Sequence, residues 1–261
     1  MTQTTLQTRK AVGALLLAQD ALEKDIRAAV YPHIAEASAE AAKRHGDERR
    51  ALTLGLLLLG AKAMATDVRT AIVDGRAAAR ARARGRLVAE LGAAGIIIGA
   101  HEWQPSHRSE EDDAHAASSA DSLASQWRQL AIAAVLLSRR KDAPASKAIA
   151  ATRGSMVARI ERTASTEAAQ GYNDERRAAM GSLIRFDRTY RDGDLADRIE
   201  STVGRRWSAL VDACEKCEPM DGVIVGMSDS FPGDEEPGYV HARCRCIEEI
   251  VSLEATTRRA A

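Results

Sequence analysis

Five residues near the C-terminal end carry the side chains best suited to bind a metal. Cys214 and Cys217 form a Cys-x2-Cys pair, and after 23 further residues come His241, Cys244 and Cys246 as His-x2-Cys-x-Cys. A Cys-x2-Cys turn lets two thiolates converge on one tetrahedral ion, and the second group adds three more donors. Zinc takes four ligands, so one of the five is spare or stands behind the others. The four cysteines are the first choice. The alternative puts His241 in place of Cys244 or Cys246, because Cys-x-Cys is the tighter bite. A closed set of four leaves no open position, so the Zn2+ expected here is structural rather than catalytic. All four cysteines of the chain lie in this stretch. Residues Met1 to Lys10 are polar and do not resemble a secretory leader. Reduced thiols are therefore expected, and a metal site takes precedence over disulfides or unrelated free thiols.

Other residues with chemical potential read as structure. His101-Glu102 looks like the start of a zinc-protease motif, but the second His must follow four residues after the first, and position 105 is Pro. The next candidate, His107, is six residues on. Asp221-Gly222 has the form of a tight turn. Arg76, Arg80, Arg82, Arg84 and Arg86 make a basic stretch. Arg82 falls about 200° around a helix from Arg80, so the stretch is basic on all sides rather than on one docking face. It reads as a solvated or anion-contacting helix, with nucleic-acid phosphate as the sharper alternative. No catalytic constellation emerges, and no enzyme activity is assigned.

The elements that must position the cysteines are mostly helices. Alanine supplies 51 of the 261 residues and aromatic residues only nine, which excludes an all-β fold. Lys plus Arg and Asp plus Glu each number 37, which argues against a general DNA coat and against an acidic disordered chain. Helical spacing predicts a first helix over about 5–42, with Val12, Leu15, Leu22, Ile26 and Val30 on one stripe and a bend or division at Pro32. A second runs over about 48–83. Residues 101–122 read as a loop. A third helix over about 122–141 carries a seam of Leu123, Trp127, Leu130, Ala134 and Leu137. Ser146 is the expected N-cap of a helix over about 146–172, followed by another over 173–191. A last helix over about 194–213 places Leu195, Ile199, Val203, Trp207 and Val211 at four-residue intervals. Beyond it, prolines and glycines dominate, and Val223–Val225 and Ile247–Val251 could pair as a hairpin.

Two apolar windows, 52–65 and 87–100, are each 14 residues long and are interrupted by Lys62 and Glu90. A membrane span needs about 20 residues, so both read as buried core helices and no stable span is expected. Trp127 and Trp207 sit on apolar stripes and read as core. The fold class is mainly α, with long helical N-terminal and middle regions and a small zinc-stabilised α+β module at the C-terminal end. The organisation expected is a helical region over 1–145, a domain over 146–251 with its zinc knot at 213–250, and a tail over 252–261. The knot has few large apolar side chains and cannot offset its ordering entropy by burial alone. Metal ligation supplies the difference.

The stretch RRWSALVDACEKCEPMDG, a Pro/Gly loop and then PGYVHARCRC resembles the C-terminal signature of the phage head-morphogenesis, or minor head protein, family of the Mu-like F protein. The matching positions are Trp207, Cys214, Cys217, Asp221, Gly222, His241, Cys244, Arg245 and Cys246. Upstream, STEAAQGYNDER is similar to the family's Arg-Thr-Glu helix at Thr166, Glu167, Asn173 and Arg176, with Ser165 in place of the leading Arg. Ala242 stands where the family commonly has Pro. The resemblance covers about residues 150–250 and implies a minor structural protein of a tailed-phage or prophage-derived head. Such a protein acts near the portal vertex in head morphogenesis, DNA packaging or ejection. Implied partners are the portal protein or inner capsid, other copies of the chain around the portal, and packaged DNA through the Arg-rich segments. The implied location is the virion head or procapsid, and the host cytoplasm during assembly. The competing reading is a membrane-active or an enzymatic, toxin- or nuclease-like, protein carried in the particle. Arg243 and Arg245 flank the ligands and are placed to offset thiolate charge.

Overall fold

A computed structural model describes residues 3–43, 49–98, 110–140, 144–209, 213–241 and 244–253. The chain is mainly helical with a small antiparallel sheet near its C-terminal end. The helices are α1 (Gln3–Ala42), α2 (Arg49–Ala93), α3 (Glu110–Arg140), α4 (Ala145–Tyr190) and α5 (Asp194–Thr202). The strands are β1 (Val203–Ser208), β2 (Ile224–Gly226) and β3 (Ile247–Ser252). The chain groups into two compact units, neither of them continuous in sequence. A helical unit comprises Asp20–Gly75 and Arg108–Ala164, and a mixed unit comprises Met1–Gln19, Arg76–His107 and Ser165–Ala261. Position 145 marks the start of α4, and α1, α2 and α4 contribute to both units.

In the helical unit the buried side chains recur every three to four residues: Leu22, Ile26, Val30 and Ile34 on α1, and Leu57, Ala61, Met64, Val68 and Ile72 on α2. Pro32 lies inside α1 without dividing it. Its ring costs a helix hydrogen bond, but Val30 and Ile34 stay buried on either side and Tyr31 stacks against the Arg153 guanidinium at 4.0 Å. Trp127 is fully buried, and its indole N–H donates to Thr152 Oγ1 at 3.2 Å. A methyl built on Gly75 would stand 2.4 Å from Leu22 Cδ1. Helix propensity favours Ala over Gly by about 1 kcal/mol, whereas overpacking costs about 1–3 kcal/mol. Gly75→Ala is therefore expected to lower the denaturant midpoint. A raised midpoint would show that Leu22 has room to move.

Several sequence expectations change. The helix of α3 begins at Glu110, inside the expected 101–122 loop. An acidic run is a poor fit to a helix middle but favours a helix N-terminus, where its charge meets the macrodipole. Residues 99–109, with His101 and His107, lie outside the described residues. The α3 seam runs through Ala116, Ala120, Leu123, Trp127, Ala131 and Ser138, leaving Leu137 55% exposed. Ten residues beyond Trp127, Leu137 is rotated about 80° off the seam at 100° per residue. The helix α2 continues ten residues past the expected end at 83, because Leu87 and Leu91 extend its buried stripe. The helix α4 starts one residue before Ser146, and the Pro144 carbonyl accepts its first bond from Ala148 N–H at 3.3 Å. It is unbroken at Asn173. Among the described residues, no helix is long and apolar enough to cross a membrane.

In the mixed unit the expected helix over 194–213 divides. The helix α5 ends at Thr202, and Val203–Ser208 is strand β1. Steps of four fit both a helix and a two-residue alternation, so Val203 and Trp207 share a strand face as readily as a helix face. Gly204 decides: a methyl there would stand 2.7 Å from the Val225 carbonyl oxygen, where β2 passes. The expected hairpin is also replaced. The sheet order is β2-β1-β3, both pairings antiparallel, so the two apolar runs flank β1 and do not pair with each other. Leu87, Leu91, Ile96, Ala179, Met180, Leu183, Ile199, Val203 and Ile250 form its apolar core.

Candidate metal centre

The first pair of donors is set by a tight turn hung from β1. The N–H groups of Cys217 and Glu218 both donate to the Cys214 carbonyl at 2.9 Å. Gly222, with φ +80°, then returns the chain so that its N–H donates to the Trp207 carbonyl at 2.9 Å. The Asp221 carboxylate accepts the Ala209 N–H at 2.8 Å. Asp221-Gly222 is thus the turn expected, with its carboxylate tying the turn to the end of β1. The second group is closed by Cys244 N–H donating to the His241 carbonyl at 3.0 Å, just before β3.

These turns bring all five donors together. Cys214, Cys217 and His241 form one set, and Cys217, Cys244 and Cys246 another, with the ligand atoms of each set within 4.8 Å of one another. His241 Nε2 lies 2.9 Å from Cys214 Sγ and 3.4 Å from Cys217 Sγ, and Cys217 Sγ lies 3.9 Å from Cys244 Sγ. Zinc bonds of ~2.3 Å to sulfur and ~2.0 Å to nitrogen give tetrahedral edges of roughly 3.8 and 3.5 Å. Each set of three could therefore hold a metal ion, and Cys217 links the two sets. The four thiols are unbridged, and all but Cys214 are buried. Burial pushes the Cys217 thiol up to about 12, while the hydrogen bond from Cys246 brings Cys244 down to about 5. Cys246 is correspondingly raised, first by that same bond and then by burial. Trp207 is fully buried and meets Phe231 edge-on with ring centroids 5.2 Å apart. Together with the cysteines these rings form a small core of their own.

A second set of residues, missed as a group in the sequence, holds this module to α4. Asn173 is fully buried, and its Nδ2 donates to the carbonyls of Pro237 and Cys246, both at 3.0 Å. Its Oδ1 accepts the Glu248 N–H at 3.0 Å. One side chain thus satisfies three backbone groups on both flanks of the second ligand group. Gly238, with φ +88°, passes so close that a methyl there would stand 2.8 Å from Asn173 Nδ2. Gly238→Ala combines that clash with a disfavoured backbone and is expected to destabilise the protein by about 1–3 kcal/mol. Chemical denaturation checks this, and a loss below about 0.5 kcal/mol would contradict the clamp.

Around Asn173 lies a network of buried and half-buried ion pairs. Arg76 donates to Glu167 at 2.7 Å and to Asp174 at 3.1 Å. Arg84 pairs with Glu175 at 2.7 Å, and Arg176 with Glu90. Arg205 and Arg206 of β1 pair with Glu248 and Glu249 of β3, each at 3.0 Å. Asp174 also accepts from Arg177 at 2.8 Å and from the Tyr239 hydroxyl at 2.6 Å. Burial pushes the Glu248 carboxyl above its ordinary range, with Arg205 pulling it back. Of the two forms expected for the basic stretch, solvated or anion-contacting, Arg76, Arg84 and Arg86 take the second: they direct their charge onto the carboxylates of Glu167, Glu175 and Glu90 within the unit. The signal available in the sequence was the set of acids, Glu90 and Glu167 above all, placed at spacings that belong to a buried face.

Of Thr166, Glu167, Asn173 and Arg176, singled out upstream, Asn173 meets the cysteine module directly, while Arg176 pairs with Glu90 and Glu167 with Arg76. Glu167 is 2% exposed and neutralised by Arg76, so it has no free carboxylate for acid–base chemistry. Arg243 lies outside the described residues. No known protein family, curated protein or solved structure matches this chain.

Proposed function

We propose that the chain is a minor structural protein of a tailed-phage or prophage-derived head, acting at the portal vertex, and that a structural Zn2+ locks its C-terminal module. Cys214, Cys217, His241 and Cys244 hold the ion. Cys246 is the fifth donor, hydrogen-bonded behind Cys244 against Trp207. One observation carries the reading. The residues that give the sequence its resemblance, Asn173 and Arg176 on α4 and the Cys/His groups beyond it, belong to one closed assembly. Asn173, Glu167 and Arg176 turn their polar groups onto the backbone and onto buried partners, while Arg177, Glu236 and Tyr239 line a pocket of about 550 Å3 at the edge of the assembly. Groups held by one another and by the backbone suit a rigid fixture, because acid–base catalysis needs groups free to face a substrate. A zinc with four protein ligands has no position left to activate water.

Co-expression with the portal protein, followed by isolation of the portal oligomer, tests the role. Retention of the zinc-loaded protein on portal or procapsid is expected. A folded, zinc-loaded protein that binds neither would overturn it.

A further inference from the structure

We propose that a groove between α2 and α3 of the helical unit is the docking site for an acidic amphipathic helix of a partner protein. The groove has a volume of about 580 Å3. Its lining includes Ala61, Ala65, Ala117 and Ala124, whose small side chains let another helix come close. Leu58 and Leu59 border it and are 51% and 68% exposed, an apolar pair left uncovered among the described residues. An apolar patch rimmed by charge marks an interaction surface.

Charge selects the occupant. Lys62, Arg69 and Arg128 line the groove against a single acid, Asp121. The whole chain has a net charge of zero, so this local excess is placed rather than inherited from composition. Among the described residues these three cations lack the carboxylate partners that the arginines of the mixed unit have. From Leu58 to Arg69 is eleven helical steps, about 17 Å at 1.5 Å per residue. That is the length of a helix of three to four turns. A helix laid in this groove rests its apolar stripe on the alanines and the Leu58–Leu59 rim, with flanking carboxylates on the three cations. Duplex phosphate would satisfy the cations but leave the leucines uncovered. A flat lipid surface would not enter a concave site.

The test uses the full-length protein and a fluorescein-labelled synthetic helix of 14 residues, with Leu at i, i+3, i+7 and i+10 and Glu on both flanks. Fluorescence anisotropy should show saturable binding that weakens as salt rises. The double variant Lys62→Glu/Arg69→Glu should weaken binding at least tenfold. Leu59→Ser, which keeps every charge, should weaken it several-fold and tests the apolar half separately. The same peptide with Lys in place of Glu should not bind. Equal binding of the two peptides, or a wild-type affinity in Leu59→Ser, overturns the proposal. So does displacement of the peptide by duplex DNA or by vesicles of anionic lipid at lower concentration than unlabelled peptide, which would assign the patch to phosphate or membrane.

Discussion

Cys217→Ser is expected to release the metal and unfold the module from 213 to 252 while the helical signal survives. Cys217 belongs to both donor sets and is the one residue common to every four-ligand combination that the two sets allow. A serine hydroxyl keeps the size but stays protonated near neutral pH, so it replaces the thiolate poorly as a ligand. Structural zinc in small modules contributes an apparent binding energy of roughly 10–16 kcal/mol, far more than the few rings around Trp207 can supply. The long helices keep their buried stripes, so far-ultraviolet dichroism should fall only slightly. Hydrogen exchange should rise sharply at β2, β3 and the two cysteine turns. Cys246→Ser is the control. As the fifth donor it should leave the zinc in place, with a smaller loss of stability from the altered contact to Cys244 and Trp207. Equal zinc loss in both variants would show that Cys246 is a ligand.

The second large effect is expected at a charge, not a metal. Arg176 is fully buried, and burial opposes its charge, but the charge and hydrogen bond of Glu90 hold the guanidinium protonated. The paired Glu90 oxygen also accepts the Ile250 N–H at 3.0 Å, so this ion pair fixes β3 to α2 and α4 within the mixed unit. Arg176→Met removes the cation and leaves Glu90 buried, with the Ile250 N–H and Arg86, at 3.4 Å, as its remaining partners. Breaking one side of a buried pair costs about 3–5 kcal/mol. The double variant Arg176→Met/Glu90→Leu removes both charges and should regain part of that loss, short of the ~1–3 kcal/mol for an unpaired Ile250 N–H. Urea unfolding of the full-length protein measures both. A double variant less stable than Arg176→Met would contradict the picture of a stranded carboxylate.

Much of the fold was legible because it rests on periodicity. The stripes from Leu22 to Val30 and from Leu123 to Trp127 are buried where their spacing put them. The cysteine cluster was legible because its spacing is set by chemistry. What escaped depended on contacts remote in sequence. Strand β1 was hidden because Val203, Trp207 and the residues between fit two periods, and only pairing with β2 and β3 decides between them. The continuity of α4 was hidden because Asn173 is a poor helix former, and its three bonds to residues 64–75 positions away cannot be seen locally. For the same reason the spacing of the Arg-rich stretch leaves open which anions it contacts. A helix basic on all sides looks solvated until Glu167, Glu175 and Glu90 are brought beside it.

The most direct test of the metal staple is X-ray absorption at the zinc edge on the full-length protein, with metal content measured on the same sample. One zinc per chain is expected, with a first shell of three sulfurs at ~2.3 Å and one nitrogen at ~2.0 Å and no oxygen. A chain without zinc, or a zinc that keeps a water oxygen in its first shell, would contradict a closed structural site.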